Sequence, residues 1–287
     1  MTTDEENYLL PLALAAAARA AKAIMEIYTG DADFGIVEKA DHTPVTRADM
    51  ASNAVISEAL APSCLPVLSE ETSHEDFDTR SRHRLMWVVD PLDGTKEFIK
   101  RNDMFSVCIA LVEAHRPVLG VIAVPAVGSV YFTRGGRAWR GSLASDGVVS
   151  GEVSLPVNFG PVPHAVLGSV SHPSQATERV MVALRRHEGW ADASLVGVGS
   201  SIKQCMLAEG AAALYPRSGT TMEWDTAAGQ AIMEAAGGGL VKVADGEPLD
   251  YNRQDLRNPD FVAFAPGVSL DMVSLAAKAV AGRTNIN

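Results

Sequence analysis

The chain has 287 residues, 47% of them hydrophobic and 21% charged, as expected of a globular protein with a buried core and not of a disordered, collagen-like or coiled-coil chain. Its 35 acidic residues against 24 basic ones give a formal charge of -11, which argues against a broad nucleic-acid-binding face. An acidic protein still binds a small anion where bound cations reverse the local field.

The length favours two modest domains or one large one. Near the start, Leu9 to Leu14 followed by alanines superficially resembles a secretory leader. However, Asp4, Glu5 and Glu6 precede it, and no Lys or Arg occurs before Arg19. The apolar residues continue at helical spacing through Ala18, Ala21, Ile24, Met25 and Tyr28, predicting an amphipathic helix that ends at Gly30. No uninterrupted apolar run approaches the ~20 residues of a membrane span. Phe34 to Lys39 reads as a strand and Arg47 to Leu60 as a helix. Two short apolar runs follow, Leu65 to Leu68 and Leu85 to Val89. They stop at Ser69-Glu70-Glu71 and at Asp90, with a charged surface loop from Thr72 to Arg84 between them.

From Phe105 the pattern becomes strand-like: Phe105–Val112, Val118–Val124, Ser129–Thr133 and Arg137–Trp139, joined by turns too short for anything but antiparallel pairing. Ser142 to Pro163, rich in Gly, Ser and Pro, marks a boundary between a first domain, 1–145, and a second, 146–287. In the second, strands at His164–Gly168, Leu195–Val198 and Ala212–Tyr215 alternate with helices at Gln175–His187, Ser200–Glu209 and Thr226–Ala236. A hairpin at Asp245-Gly246, a strand at Phe261–Phe264 and a last helix complete it. The fold class is α+β, with stacked helix and sheet layers. Cys64, Cys108 and Cys205 are in no CxxC or Cys/His spacing, which predicts reduced thiols in a cytoplasmic protein and neither disulfides nor zinc.

The chemistry concentrates at Trp87-Val88-Val89-Asp90-Pro91-Leu92-Asp93-Gly94-Thr95-Lys96-Glu97-Phe98, where an apolar strand runs into two aspartates three apart. Ligands of open sheets collect beyond the carboxyl ends of strands, and Gly94-Thr95 opens a helix whose free N–H groups suit an anion. A turn with Asp caps is the plain alternative. Two carboxylates ~5 Å apart repel by roughly 3 kcal/mol at an effective dielectric of ~20. No Lys or Arg lies between Met86 and Thr95 to offset this, whereas a hard divalent cation would. Glu70-Glu71 also follows a short apolar run. Asp225 precedes a helix, where it would serve equally as an N-cap.

The run Trp87 to Phe98, with Ser69-Glu70-Glu71 upstream and Trp224-Asp225-Thr226-Ala227-Ala228-Gly229 downstream, resembles the lithium-sensitive, magnesium-dependent phosphatase superfamily. That group includes inositol monophosphatase, fructose-1,6-bisphosphatase and the bisphosphate nucleotidases. Asp93-Gly94-Thr95-Lys96-Glu97-Phe98, Gly199-Ser200-Ser201-Ile202-Lys203 and Leu214-Tyr215-Pro216-Arg217 resemble the CysQ-type 3'(2'),5'-bisphosphate nucleotidases within it, and the likeness runs from about Leu9 to Phe264. The resemblance implies a layered α-β-α-β-α sandwich with the site between the halves, and a homodimer. It implies two or three Mg²⁺ ions on Glu70, Asp90, Asp93, Asp225 and the Leu92 carbonyl, with Glu71 as a secondary candidate. Asp49 is implied to pair with Thr95 and activate the attacking water. Gly94 and Thr95 N–H groups are implied to hold the phosphate. Ser171, His172, Ser200, Lys203 and Arg217 are implied to contact the nucleotide and its second phosphate. Gln204 stands where relatives often carry an aromatic residue that could stack on adenine.

The expected activity is removal of the 3'-phosphate from 3'-phosphoadenosine 5'-phosphate (PAP), giving AMP and phosphate, with its sulfated form PAPS as a further substrate. Rivals are an inositol or sugar phosphatase of the same superfamily, or a non-catalytic phosphonucleotide sensor lacking the water-activating pair. A haloacid-dehalogenase-type phosphatase fits poorly, because its two aspartates lie two apart and these lie three apart.

Overall fold

Helix α1 (Thr3–Tyr28) begins with a capping box: Glu5 N–H donates to Thr2 Oγ1, and Thr2 N–H to Glu5 Oε2. In the computed structural model, which describes residues 1–30, 33–39, 43–158, 160, 162–170 and 174–282, α1 is long and apolar enough to cross a bilayer by length and composition alone. It instead buries Leu9, Leu10, Ala13, Ala17, Ala20 and Ile24 in the core.

A two-residue ribbon follows, β1 (Val37–Glu38) with β2 (Pro44–Val45), and then α2 (Arg47–Leu60). The strand expected over Phe34–Lys39 is thus only Val37–Glu38. Ile36 and Val37 are half-exposed or more and have no sheet to cover, so their strand-like composition extends no further. Next come β3 (Val67–Ser69), α3 (Phe77–Arg80), β4 (Leu85–Asp93) and α4 (Thr95–Ile99). The meander is β5 (Ser106–Glu113), β6 (Arg116–Val124), β7 (Ser129–Arg134), β8 (Arg137–Leu143) and β9 (Val149–Ser154). Strands β3 to β9 form one seven-stranded sheet in chain order, antiparallel except for the parallel β3–β4 pair. Strand β9 lies inside the stretch expected to be linker. None of its side chains is buried and four of the six are exposed, so its apolar signal is weak, and the first sheet ends at Ser154, beyond the division expected at 145.

The second half supplies β10 (Ala165–Gly168), α5 (Gln175–Arg185), β11 (Ser194–Gly197), α6 (Ile202–Glu209), β12 (Leu214–Arg217), α7 (Ala227–Ala236), β13 (Gly239–Lys242), β14 (Phe261–Phe264) and α8 (Leu270–Val280). Its five strands lie in the order β11-β10-β12-β14-β13. Strand β13 pairs with β14, not across the Asp245-Gly246 turn, where only a single Val241–Pro248 bridge forms.

Three cores give the layering. Helices α1 and α2 cover the outer face of the large sheet with Trp87, Val89, Ile109 and Phe132. Helices α6 and α7 fill the space between the two sheets with Met86, Val88, Ala110, Ala228, Ile232 and Leu240. Helices α5 and α8 cover the far side of the small sheet with Val180, Leu184, Val273 and Ala276. The molecule is therefore an α-β-α-β-α sandwich. The middle layer sits close because Gly120 of β6 has no side chain: a Cβ there would lie 2.3 Å from the Ala228 carbonyl oxygen. The sandwich brings the carboxyl ends of β3 and β4 against the amino ends of α6 and α7.

Candidate active site

Residues three apart on a regular strand point to opposite faces, so Asp90 and Asp93 should diverge. A bulge prevents this. Asp90 pairs with Cys108 and Asp93 with Ser106 of β5, so two residues, Pro91 and Leu92, stand where the partner strand has one. Cys108 and Ser106 share a face, and therefore so do the two aspartates. Pro91, lacking an N–H, suits the unpaired position. Its carbonyl accepts a 2.6 Å hydrogen bond from Ser52 Oγ, and Leu92 N–H donates to Asp90 Oδ1 at 3.0 Å. Parallel pairing of Ser69 with Val89 places Glu70 at the same sheet end, where its N–H donates to the Val89 carbonyl.

Asp225 arrives from the second half in a 3-10 turn, Glu223–Asp225. Its Oδ2 accepts from Met222 N–H at 2.8 Å, so it does not cap α7. Asp90, Asp93 and Asp225 each present a carboxylate oxygen within 4.8 Å of the others. At that spacing each ionised pair repels by roughly 3 kcal/mol at an effective dielectric of ~20. Burial, with Glu70, Asp93 and Asp225 adding, holds the Asp90 carboxyl far above the usual range. Burial raises Asp93 too, against hydrogen bonds from Ser201. Asp225 is pushed up to about 8 by burial and then by Asp93 and Glu70. Glu70 is pushed up to about 7, chiefly by burial, with Lys39 pulling the other way. Lys39 Nζ contacts Glu70 Oε1 at 3.1 Å and Glu71 Oε1 at 2.5 Å. Glu71, the secondary candidate, thus faces Lys39, and neither it nor Glu70 is among the three clustered carboxylates; Glu70 differs in lining the cavity beside them. The cluster offers oxygen donors only, too close to stay ionised without a cation, and that chemistry fits a hard divalent metal ion.

Asp49 is buried beneath this cluster, not exposed as its place in a first helical turn would suggest. Its Oδ2 accepts from both Thr46 N–H (2.7 Å) and Thr46 Oγ1 (2.6 Å), and its Oδ1 accepts from Thr95 Oγ1 (3.0 Å). Burial raises its pKa, opposed by the Thr46 and Thr95 hydrogen bonds. Gly94 caps α4 with φ +93°, a conformation that favours glycine, and a Cβ there would lie 2.9 Å from the Met104 carbonyl oxygen.

Glu70, Asp90, Asp93 and Asp225 line one cavity of about 770 Å³, together with Lys39, Gly94, Thr95, Ser200, Lys203, Gln204 and Arg217. The cationic residues differ in what they already hold. Lys203 is buried; its Nζ donates to the carbonyls of Val198 (3.1 Å) and Ser200 (2.7 Å) and lies 5.1 Å from the centre of the Tyr215 ring. Ser200 has φ +48°, so Lys203 braces a left-handed turn, a role nothing in the sequence announces. Burial pulls its pKa down to about 8, with Asp93 opposing and Arg217 adding. Among the described residues the Arg217 side chain makes one hydrogen bond, Nη2 to the Thr220 carbonyl at 3.2 Å, and its buried Nε has no partner. Ser171 and His172 lie outside the described residues. Gln204 is buried and donates to the Asp225 backbone carbonyl at 2.7 Å, an internal position with no base platform. Ser201 was missed by the sequence reading. Its N–H and Oγ both approach Asp93 Oδ2 at 2.5 Å, and its place immediately after Ser200 in the same motif was the available signal.

A sequence model described as the inositol monophosphatase family matches residues 5–275. The chain is 41% identical over 249 residues to the 3'(2'),5'-bisphosphate nucleotidase CysQ of Shigella flexneri, covering 85% of this chain and 95% of that protein. It is similar in structure to the crystal structure of CysQ from Bacteroides thetaiotaomicron, a bacterial member of that family. The TM-score is 0.79 at 41% identity, over 88% of this chain and 96% of the other. An inositol monophosphatase from Thermotoga maritima shares the fold at TM-score 0.71 and 18% identity, over 96% of this chain and 99% of that one.

Proposed function

The chain belongs to the inositol monophosphatase family and is a phosphatase, and from that premise we propose that it hydrolyses the 3'-phosphate of PAP, giving AMP and phosphate, and acts also on PAPS. The observation that carries this reading is the pairing, across one cavity, of the Asp90-Asp93-Asp225 cluster with the under-used guanidinium of Arg217. An ester phosphate belongs at the acids once they hold cations, and a second phosphate needs its own positive partner. A monophosphate of inositol would leave Arg217 without that partner. The CysQ relatives, at about 41% identity, support the same choice.

Mg²⁺ on Glu70, Asp90, Asp93, Asp225 and the Leu92 carbonyl, in two or three ions, would supply charge neutralisation for the ester and acidification of a bound water. The chain's own residues do the rest. Asp49, with Oδ2 saturated by Thr46, keeps Oδ1 for the Thr95 hydroxyl proton. That leaves a Thr95 Oγ1 lone pair to accept a proton from the attacking water while Thr95 passes its own to Asp49. Thr95 thus orients the water and Asp49 takes the proton, the kind of positioned transfer worth about 10²–10⁴ in rate. The Gly94 and Thr95 N–H groups, at the start of α4, are placed to hold phosphate oxygens. Hydrolysis is direct and forms no phosphoenzyme. The three free cysteines suit a reducing compartment, and the reading places the enzyme in the cytoplasm, working as a homodimer.

The test is phosphate release by the purified protein from PAP, inositol 1-phosphate and fructose 1,6-bisphosphate side by side, with Mg²⁺ and with EDTA. PAP should be turned over fastest and only with Mg²⁺. Fast inositol 1-phosphate turnover with none from PAP would transfer the reading to the sugar-phosphatase branch.

A further inference from the structure

The acids of the site come from both halves of the chain, and one helical turn touches both. Ser201, at the start of α6, donates its N–H and hydroxyl to Asp93 Oδ2. Gln204, three residues on and so on the same helix face, donates Nε2 to the backbone carbonyl of Asp225 at 2.7 Å. Gln204 is only 3% exposed, at the wall of the cavity, and its chain neighbour Cys205 belongs to the core between the sheets. A primary amide in such a place is costly unless it makes a hydrogen bond that matters. The acceptor is a carbonyl, which fixes the amide with its NH₂ toward Asp225 and leaves Oε1 without a partner among the described residues.

Gln204 has this place only because α7 carries a notch. A Cβ on Gly229 would lie 1.4 Å from Gln204 Oε1, 2.3 Å from its Cδ and 2.7 Å from its Cβ. Gly229 is the third residue of α7, and glycine within a helix is less favourable than alanine by up to about 1 kcal/mol, so the notch opposes local stability. The structural gain on the other side is the seat for Gln204.

We propose that Gln204, seated against Gly229, is a positioning residue. It fixes the Asp225 turn against α6 so that the Asp225 carboxylate meets Asp90 and Asp93 at metal-binding distance. This deepens the proposed function and rests on Asp225 being a metal ligand. Partners that orient a ligand typically change metal affinity by about 10–100-fold when removed.

Calorimetric titration of Mg²⁺ into the substrate-free protein tests it, with melting temperature recorded for every variant. Gln204→Met keeps the side-chain length and removes the donor. It should weaken Mg²⁺ binding roughly tenfold, raise the Mg²⁺ concentration for half-maximal phosphate release to match, and leave kcat at saturating Mg²⁺ within about threefold of the parent. Gly229→Ala, a better helix former that evicts Gln204, should reproduce the loss of affinity, and it carries the test if Gln204→Met does not fold. Unchanged Mg²⁺ affinity in these variants, whether or not the melting temperature falls, would overturn the proposal. Asp225→Asn is the control. If it loses Mg²⁺ binding while Gln204→Met and Gly229→Ala keep it, only the positioning role fails. If Asp225→Asn binds Mg²⁺ like the parent, the metal-ligand reading fails and takes the positioning role with it.

Discussion

The acidic wall of the cavity is fixed by the large sheet: Asp90 and Asp93 are aimed by a bulge in β4, and Glu70 by the parallel β3 alongside. The facing wall is assembled from the second half, where Lys203 braces the Ser200 turn and Arg217, at the end of β12, keeps a buried Nε without a partner among the described residues. The first wall is mutually repulsive, and on the proposed reading it holds cations and serves the step common to all phosphate monoesters. The second is cationic and partly committed to backbone carbonyls, and on the same reading it distinguishes one ester from another. Changes to the acidic wall should therefore alter turnover for every substrate, and changes to Arg217 should alter only the choice among them.

The largest effect should come from Asp90→Asn, which removes charge from the centre of the acidic wall. Losing several kcal/mol of charge stabilisation, at about 1.4 kcal/mol per decade, predicts a fall of about 10³-fold in kcat for PAP and sugar phosphates alike. Thr95→Val should lower kcat about 10²-fold, because the water loses its acceptor, while Mg²⁺ affinity measured by calorimetry stays near the parent value. Arg217→Ala should raise KM for PAP roughly tenfold or more, the scale of one charge-assisted hydrogen bond at about 1.5–3 kcal/mol, and leave KM for 3'-AMP almost unchanged. Equal losses on both substrates would erase the distinction between the walls.

A smaller effect concerns stability. Glu70 at about 7 and Asp225 at about 8 bind protons more tightly in the folded chain than free carboxylates, which titrate near 4. Their contribution to stability is therefore complete below about pH 4 and is lost as pH rises through 7 to 8. The melting temperature of EDTA-treated protein should fall between pH 5.5 and 8.5, and saturating Mg²⁺ should flatten that fall. A metal-free melting temperature that rises over this range would mean the acids are not held together as described.

The part of the site lying along one strand was legible in the sequence, since an apolar run ending in Asp-Pro-Leu-Asp-Gly-Thr announces itself wherever it occurs. What turns the two aspartates to one face was not: the bulge is a property of β4 pairing with β5, although Pro91 hinted at it. Asp49 stands out only through the family resemblance; its spacing alone is that of an ordinary first-turn acid, because its burial depends on what packs over α2. Lys203 and Gln204 look alike in sequence as polar residues on a short helix. Only the fold shows one holding the Ser200 turn and the other holding Asp225. In the fold itself, β9 is hard to see in the sequence because none of its side chains is buried, whereas α2, which buries Ala48, Ile56 and Leu60, is legible to its last residue.

The central claim is that acids from β3, β4 and the turn before α7 jointly hold divalent cations. Crystals soaked in Mn²⁺, a metal with a strong anomalous signal and the same preference for oxygen, test it most directly. Anomalous density is expected among Glu70, Asp90, Asp93 and Asp225, abolished or displaced in Asp90→Asn. Phosphate release supported by Mn²⁺ in solution, with soaked crystals showing density elsewhere and none among those four carboxylates, would contradict it.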